Sequence, residues 1–108
     1  MHAIGGDQAL MCRVRYEPGT TVPRHSHPDT EQVMLITDGS VRMTIGDETK
    51  VLGAGDVAVV NRGIEHELYS EQGVGFIEAL APPPLDHVPD KERDLVLGDL
   101  GGSLHVDA

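Results

Sequence analysis

The sequence is poor in cysteine, aromatic residues and positive charge, and each shortage excludes a class of protein. The 108 residues include a single cysteine, Cys12, which cannot form an internal disulfide, so we expect a reducing compartment. Two tyrosines and one phenylalanine are too few for a sugar-binding platform of stacked rings. Eighteen acidic residues against eight lysines and arginines give a net charge of −10 without any basic run. Nucleic acid and anionic membranes are therefore not expected as partners.

Long hydrophobic runs are missing as well. No apolar stretch approaches the roughly 20 residues that cross a bilayer, and residues 1–11 lack the basic and apolar regions of a signal peptide. We therefore expect a cytoplasmic protein without a membrane segment. A chain of this length can form one domain with a modest core, which makes partner chains plausible.

Short apolar segments separated by turn residues predict an all-β domain. Alternating residues predict strands at 10–16 and 41–45, and apolar runs predict strands buried on both faces at 33–36 and 57–60. Further strands are expected at 49–52, 66–69 and 75–80. Such spacing is typical of a sandwich or a small barrel. Within the charged tail, 83–108, we expect a short helix at 89–94 and a last strand at 101–108.

A pair of histidines, His25 and His27, is the strongest chemical signal in the chain. Side chains two residues apart can point the same way from a strand and bind one metal ion. A further ligand is expected shortly afterwards, where Glu31 and Gln32 are adjacent and cannot both point inward from a regular strand. Pro28 interrupts the segment, so strand parity does not decide between the carboxylate and the amide.

Two motifs framed by glycines resemble those of the cupin family. The first is matched by Gly19, His25, His27, Gln32 and Gly39, and the second by Gly55, Gly63 and His66. The resemblance covers residues 10–82 and implies a jelly-roll barrel with a metal at its mouth, in a single domain of residues 1–108. Small cupins are frequently dimers, so we expect a homodimer.

The resemblance also implies a metal site formed by His25, His27, Gln32 and His66. The family's ligand position, counted back from Gly39, is Gln32. The family has two spacings after the second histidine, and the shorter one, counted forward from His27, would select Glu31. Three imidazoles suit one divalent transition metal, Zn, Ni, Fe, Mn, Co or Cu, and an amide leaves the ion its full charge. Such an ion acts as a Lewis acid on a keto or enol oxygen.

Three histidines and a glutamine resemble two groups of cupins. One opens the ring of unsaturated uronates, and the other comprises small zinc-dependent polyketide cyclases. The first group has an arginine where this chain has Pro84, and a sugar acid needs a cation for its carboxylate. We therefore expect a metal-dependent lyase, isomerase or cyclase acting on a small-molecule keto or enol substrate. The alternatives are an Fe(II)- or Cu-dependent dioxygenase, which Glu31 as ligand would favour, and a non-catalytic metal- or ligand-binding protein.

Glu78 is the candidate catalytic residue. It interrupts the apolar segment 75–80, and a carboxyl group against an apolar wall has a raised pKa that suits proton transfer. The alternative is that Glu78 faces solvent or pairs with an arginine. We expect Cys12 in the core and Tyr69 outside the cavity.

Overall fold

The structure is a computed structural model. It describes residues 1–84, 90, 92 and 95–97, and for residues 95–97 it describes the backbone alone. The described part contains nine strands: β1 His2–Gly5, β2 Leu10–Tyr16, β3 Thr20–His25, β4 Glu31–Ile45, β5 Glu48–Gly53, β6 Val57–Val60, β7 His66–Ser70, β8 Val74–Ala81 and β9 Leu95–Leu97. The all-β prediction is confirmed. The strand predicted at 101–108 lies outside the described residues. The helix predicted at 89–94 also lies outside them, apart from residues 90 and 92.

The long strand β4 joins the two halves of the barrel. Its first half pairs with β6 and β8, and its second half pairs with β5 and β7. The first half-sheet continues from β8 through β2 and β1 to β9, and the second continues from β7 to β3. Apart from the parallel pair of β1 and β9, the described pairs are antiparallel. This curled sheet is the expected jelly-roll barrel.

A bend in β4 replaces the two separate strands predicted at 33–36 and 41–45. The ladder to β8 shifts register between Ile36 and Asp38. Gly39 follows with a φ of 72°, and a Cβ atom there would lie 2.2 Å from the carbonyl oxygen of Gly73, so only glycine fits. The bend changes which positions face the interior. Even-numbered residues face inward before it, Met34 and Ile36, and odd-numbered residues face inward after it, Val41 and Met43.

The core is one cluster of inward-facing side chains: Ala3, Leu10, Cys12, Val14, Met34, Ile36, Val41, Met43, Val60, Leu68, Val74, Phe76 and Leu80. The predicted core position of Cys12 is confirmed. The prediction that residues 33–36 and 57–60 are buried on both faces is wrong, because four of their side chains are exposed: Val33, Leu35, Val57 and Val59. These strands alternate like the others, since the barrel has one interior. No helix of the described residues is long and apolar enough to span a membrane.

Candidate metal centre

Strand ends and one short loop gather the predicted ligands at one end of the barrel. His25 is the last residue of β3 and His66 is the first of β7, and the two are cross-strand partners. Gln32, near the start of β4, pairs with Val60, the last residue of β6. Only residues 61–65 separate Val60 from His66, so Gln32 lies at the same end of the barrel as the histidines.

The three predicted histidine ligands form a compact cluster. The ligand atoms of His25, His27 and His66 all lie within 4.8 Å of one another. The ring centroids of His25 and His66 are 4.1 Å apart, and His27 is 5.1 Å from His25 and 5.4 Å from His66. His27 lies beyond the end of β3, so the cluster does not depend on both histidines pointing from one regular strand. The backbone oxygen of His27 instead accepts a hydrogen bond from the Gly63 amide, 2.9 Å away.

Backbone carbonyls orient two of the imidazole rings. His25 Nδ1 lies 2.7 Å from the Pro23 oxygen, and His66 Nδ1 lies 3.1 Å from the Ile64 oxygen. A carbonyl oxygen can only accept, so Nδ1 carries the proton in each ring and the neutral ring has its lone pair on Nε2. Metal-binding histidines are commonly fixed in this way. These contacts could not be predicted from the pattern of side chains, because their acceptors are main-chain atoms.

The orientations of Glu31 and Gln32 agree with the prediction that the amide faces inward. β3 ends at His25 and β4 begins at Glu31, so the segment around Pro28 resets the strand parity. Glu31 is exposed, whereas Gln32 is buried with 4% of its surface accessible. Glu31 therefore faces away from the barrel interior. Ligation by Gln32 itself stays a prediction.

Glu78 lies inside the barrel, where it contacts Gln32. Its side chain is 2% exposed, and its Oε2 accepts a hydrogen bond from Gln32 Nε2. This contact was not predicted, because the two residues are 46 positions apart and meet only through the pairing of β4 with β8. It fixes the amide orientation, since the nitrogen must face Glu78 and Oε1 must face away. The role of Glu78 in proton transfer stays a prediction.

The neighbours of Glu78 are not nucleophiles at neutral pH. Burial raises the pKa of the Cys12 thiol from 9.0 to about 12, and the nearby Glu78 carboxyl group adds to the effect. Burial also raises the pKa of Tyr16, again with a contribution from Glu78. Tyr69, in contrast, lies outside the cavity as predicted, where the Arg42 guanidinium is 5.2 Å from its ring centroid.

The donor set fits a divalent transition metal. Two nitrogens bound at about 2.1 Å to one ion are roughly 3–4 Å apart, so the three rings need only a small adjustment to share an ion. Gln32 Oε1 is buried and accepts no hydrogen bond from the described residues. A buried amide oxygen normally has a partner, and a cation would provide one. His25, His27 and His66, with Gln32 as a candidate fourth ligand, are the residues that could hold it.

The comparisons with known proteins agree with this architecture. The Cupin_2 family, described as a cupin domain, matches residues 12–74. Germin-like protein 3-1 of Oryza sativa subsp. japonica is 35% identical over 65 residues, which are 56% of this chain but only 29% of that protein. Tetracenomycin polyketide synthase protein TcmJ of Streptomyces glaucescens is 26% identical over 92 residues, 80% of this chain and 62% of TcmJ.

A solved structure supports the fold on independent grounds. KdgF from Halomonas sp. superimposes with a TM-score of 0.71 over 76% of each chain, at 19% sequence identity. An identity this low shows a shared fold alone. The family match, in contrast, includes both histidine motifs and more than half of the chain. The chain therefore belongs to the cupin family.

Proposed function

We propose that the chain is a metal-dependent lyase, isomerase or cyclase that acts on a small keto or enol substrate. The observation that carries the proposal is the inward position of Gln32 together with the exposure of Glu31. Three imidazoles and an amide are all neutral ligands, so they would not offset the charge of a bound ion. A divalent ion held by this set would supply Lewis acidity for a keto or enol oxygen.

The chain's own residues prepare the site in two ways. The carbonyl oxygens of Pro23 and Ile64 hold two imidazoles with Nε2 available as a ligand atom. Glu78 holds the Gln32 amide with its oxygen directed away from the carboxyl group. Glu78 is thus a positioning residue, which acts through Gln32.

The placement of the arginines bears on the choice between a keto or enol substrate and a uronate. A sugar acid requires a cation near the site. Arg13, Arg15 and Arg42 occupy exposed positions that alternate with buried ones on their strands, whereas Arg62 lies in the loop of residues 61–65, at the same end of the barrel as the site. Arg15 is also paired with Asp38, at 2.8 Å. Because TcmJ is by name a polyketide synthase protein, a poly-β-keto compound is the first substrate class to test.

The test combines product analysis with oxygen consumption. The chain is loaded in separate samples with Zn, Ni, Co, Mn, Fe(II) or Cu and incubated with a poly-β-keto compound, an unsaturated uronate or a catechol. We expect conversion of the poly-β-keto compound that depends on metal, without oxygen uptake. His66→Ala should abolish it, and the matched control Glu31→Gln should retain it because Glu31 is exposed.

Two results would contradict the proposal. Oxygen uptake that matches the loss of substrate would favour a dioxygenase. Metal binding without conversion of any substrate class would favour the non-catalytic alternative.

A further inference from the structure

The third strand, β3, contains a bulge immediately before the first histidine of the metal centre. Its ladder to β7 shifts register between Val22 and His25, because two residues, Pro23 and Arg24, lie opposite the single residue Glu67. One extra residue in a strand is a β-bulge, and bulges near functional sites often change the direction of a side chain. The position of this bulge therefore bears on the orientation of a candidate ligand.

The bulge determines which way His25 points. Val22 pairs with Leu68 and His25 pairs with His66, and both of these partners on β7 are buried. Cross-strand partners share a face of the sheet, so Val22 and His25 both face the barrel interior. Side chains three positions apart face opposite sides of a regular strand. Without the extra residue, His25 would therefore face outward, away from His66.

The sequence favours a bulge at this place. Proline has no N–H group to donate to a ladder, and within sheets it occurs in edge strands and bulges. Within the described residues β3 pairs with β7 alone, so Pro23 lies in an edge strand. The Pro23 carbonyl oxygen lies 2.7 Å from Nδ1 of His25, which keeps the proton on Nδ1 and the lone pair on Nε2. The conformation of residues 23 and 24 thus affects both the direction and the tautomer of His25.

Arg24 connects the bulge to two neighbouring elements. Its Nε donates a hydrogen bond to Glu65 Oε2 at 2.7 Å, and its Nη2 donates to the Gly46 carbonyl oxygen at 3.2 Å. Glu65 directly precedes His66 at the start of β7, and Gly46 directly follows β4. The Gly46 amide donates in turn to the backbone oxygen of Glu65 at 2.9 Å. One guanidinium group therefore joins the residue before His25 to the residue before His66.

We propose that Arg24 is a positioning residue of the metal centre, because it fixes the bulge that directs His25 toward His66. Its side chain is exposed, so it acts through the main chain and not by coordination. The proposal rests on the metal centre and not on the reaction. The charge of Arg24 would have the opposite effect on its own, because a cation beside the centre repels a bound metal ion. The two roles thus predict changes of opposite sign when Arg24 is removed.

The first experiment measures metal affinity in variants that separate position from charge. Arg24→Ala and Glu65→Ala both break the ion pair, but they change the net charge of −10 in opposite directions. Arg15→Ala is the matched control, because Arg15 forms a similarly short ion pair with Asp38, at 2.8 Å. Asp38 lies about 20 Å beyond Gln32 along β4. Competition with a chelating dye gives the dissociation constant for Zn²⁺ in each variant.

Both ion-pair variants should bind Zn²⁺ more weakly, and Arg15→Ala should bind it like the natural chain. An exposed ion pair changes an equilibrium constant by up to about fivefold, so we expect a loss of about 3- to 5-fold for Glu65→Ala. Arg24→Ala also loses the contact with Gly46, and its loss should reach about 10-fold. Circular dichroism in the presence of chelator checks that each variant is folded.

The second experiment needs no metal. Nitrogen NMR of the metal-free chain at about pH 8, where an ordinary imidazole is neutral, distinguishes the two tautomers of each ring. His25 should carry its proton on Nδ1 in the natural chain and in Arg15→Ala, because of the contact with Pro23. Arg24→Ala and Glu65→Ala should shift His25 to a mixture of both tautomers. The His25 signal is assigned by its absence from His25→Ala.

Three results would overturn the proposal. The first is tighter metal binding by Arg24→Ala with weaker binding by Glu65→Ala, which charge alone would produce. The second is an unchanged metal affinity in both folded ion-pair variants. The third is a His25 tautomer that is the same in these variants as in Arg15→Ala. A natural chain that binds no metal would contradict the metal centre and with it the proposed function, and the tautomer of His25 would then still decide whether Arg24 fixes the bulge.

Discussion

The hydrogen bond between Gln32 and Glu78 predicts strong energetic coupling between two residues that are 46 positions apart. Gln32→Leu would leave the buried Glu78 carboxyl group without the amide donor, and Glu78→Leu would leave the amide nitrogen without that acceptor. An unsatisfied buried polar group costs about 1–3 kcal/mol, whereas replacing both partners with apolar groups of similar shape is nearly neutral. The double variant should therefore be more stable than either single variant and closer in stability to the natural chain.

The magnitude is large enough for an ordinary unfolding experiment. A loss of about 2 kcal/mol in the free energy of unfolding should lower the melting temperature of each single variant by about 8–16 °C, because a domain of about 100 residues shifts by 4–8 °C per kcal/mol. Urea unfolding followed by circular dichroism, with a chelator present, gives the four free energies of the cycle. We expect a coupling energy of about 2–4 kcal/mol between the two sites, because the double variant should lose less than either single variant.

A second cycle provides the control. Ser70 is also buried, and its Oγ donates to the Ser40 carbonyl at 2.7 Å, so Ser70→Ala combined with Gln32→Leu should be additive within about 0.5 kcal/mol. The same degree of additivity in the Gln32 and Glu78 cycle would refute the argument that Glu78 positions the amide.

Three further predictions concern the metal, the polarity of the amide–carboxyl pair and the thiol. Elemental analysis should find about one divalent ion per chain. The double variant His25→Ala, His27→Ala should lose this ion, and Glu31→Gln should retain it. Full metal content in the double variant would contradict the site. Gln32→Glu should lower the melting temperature in the presence of chelator, because it brings two buried carboxyl groups together. Adding Glu78→Gln should restore most of the loss. Equal stability of the single variant Gln32→Glu and the double variant would contradict this. Cys12 should resist a thiol reagent at pH 8 in the folded chain, and rapid labelling would refute its burial. Folding raises the pKa of Cys12 from 9.0 to about 12, so the contribution of its neutral thiol to stability should be complete below pH 9 and lost between pH 9 and 12. Urea unfolding of the natural chain and of Cys12→Ala at a series of pH values tests this.

The strand positions and the histidine cluster were predictable because they depend on local patterns. Alternating residues gave the bounds of β2 as Leu10–Tyr16, and turn residues marked the strands that follow. The two glycine-framed motifs identified His25, His27 and His66 before any geometry was known. Their spatial convergence follows from the fold that those motifs imply.

Features that depend on contacts between distant strands were not predictable. The apolar runs of β4 and β6 indicated burial on both faces, because hydrophobicity does not reveal whether a second layer covers a strand. Gly39 falls between the strands predicted at 33–36 and 41–45, and the bend that joins them in β4 depends on the close approach of Gly73, 34 positions later. The partner of Glu78 likewise became evident only from the alignment of β4 with β8.

Glu31 and Gln32 are adjacent in the chain, and which of them faces inward determines whether the candidate fourth ligand is a charged carboxylate or a neutral amide. A carboxylate ligand would offset part of the charge of a bound ion, and an amide would not. Glu78 is the one acidic residue that is buried in the described part of the chain, and it contacts the nitrogen of the amide. Its carboxyl group can thereby orient the candidate ligand oxygen without becoming a ligand itself. If Gln32 is the fourth ligand, orientation and coordination would fall to different side chains, Glu78 and Gln32, and the ligands themselves would leave the charge of a bound ion undiminished.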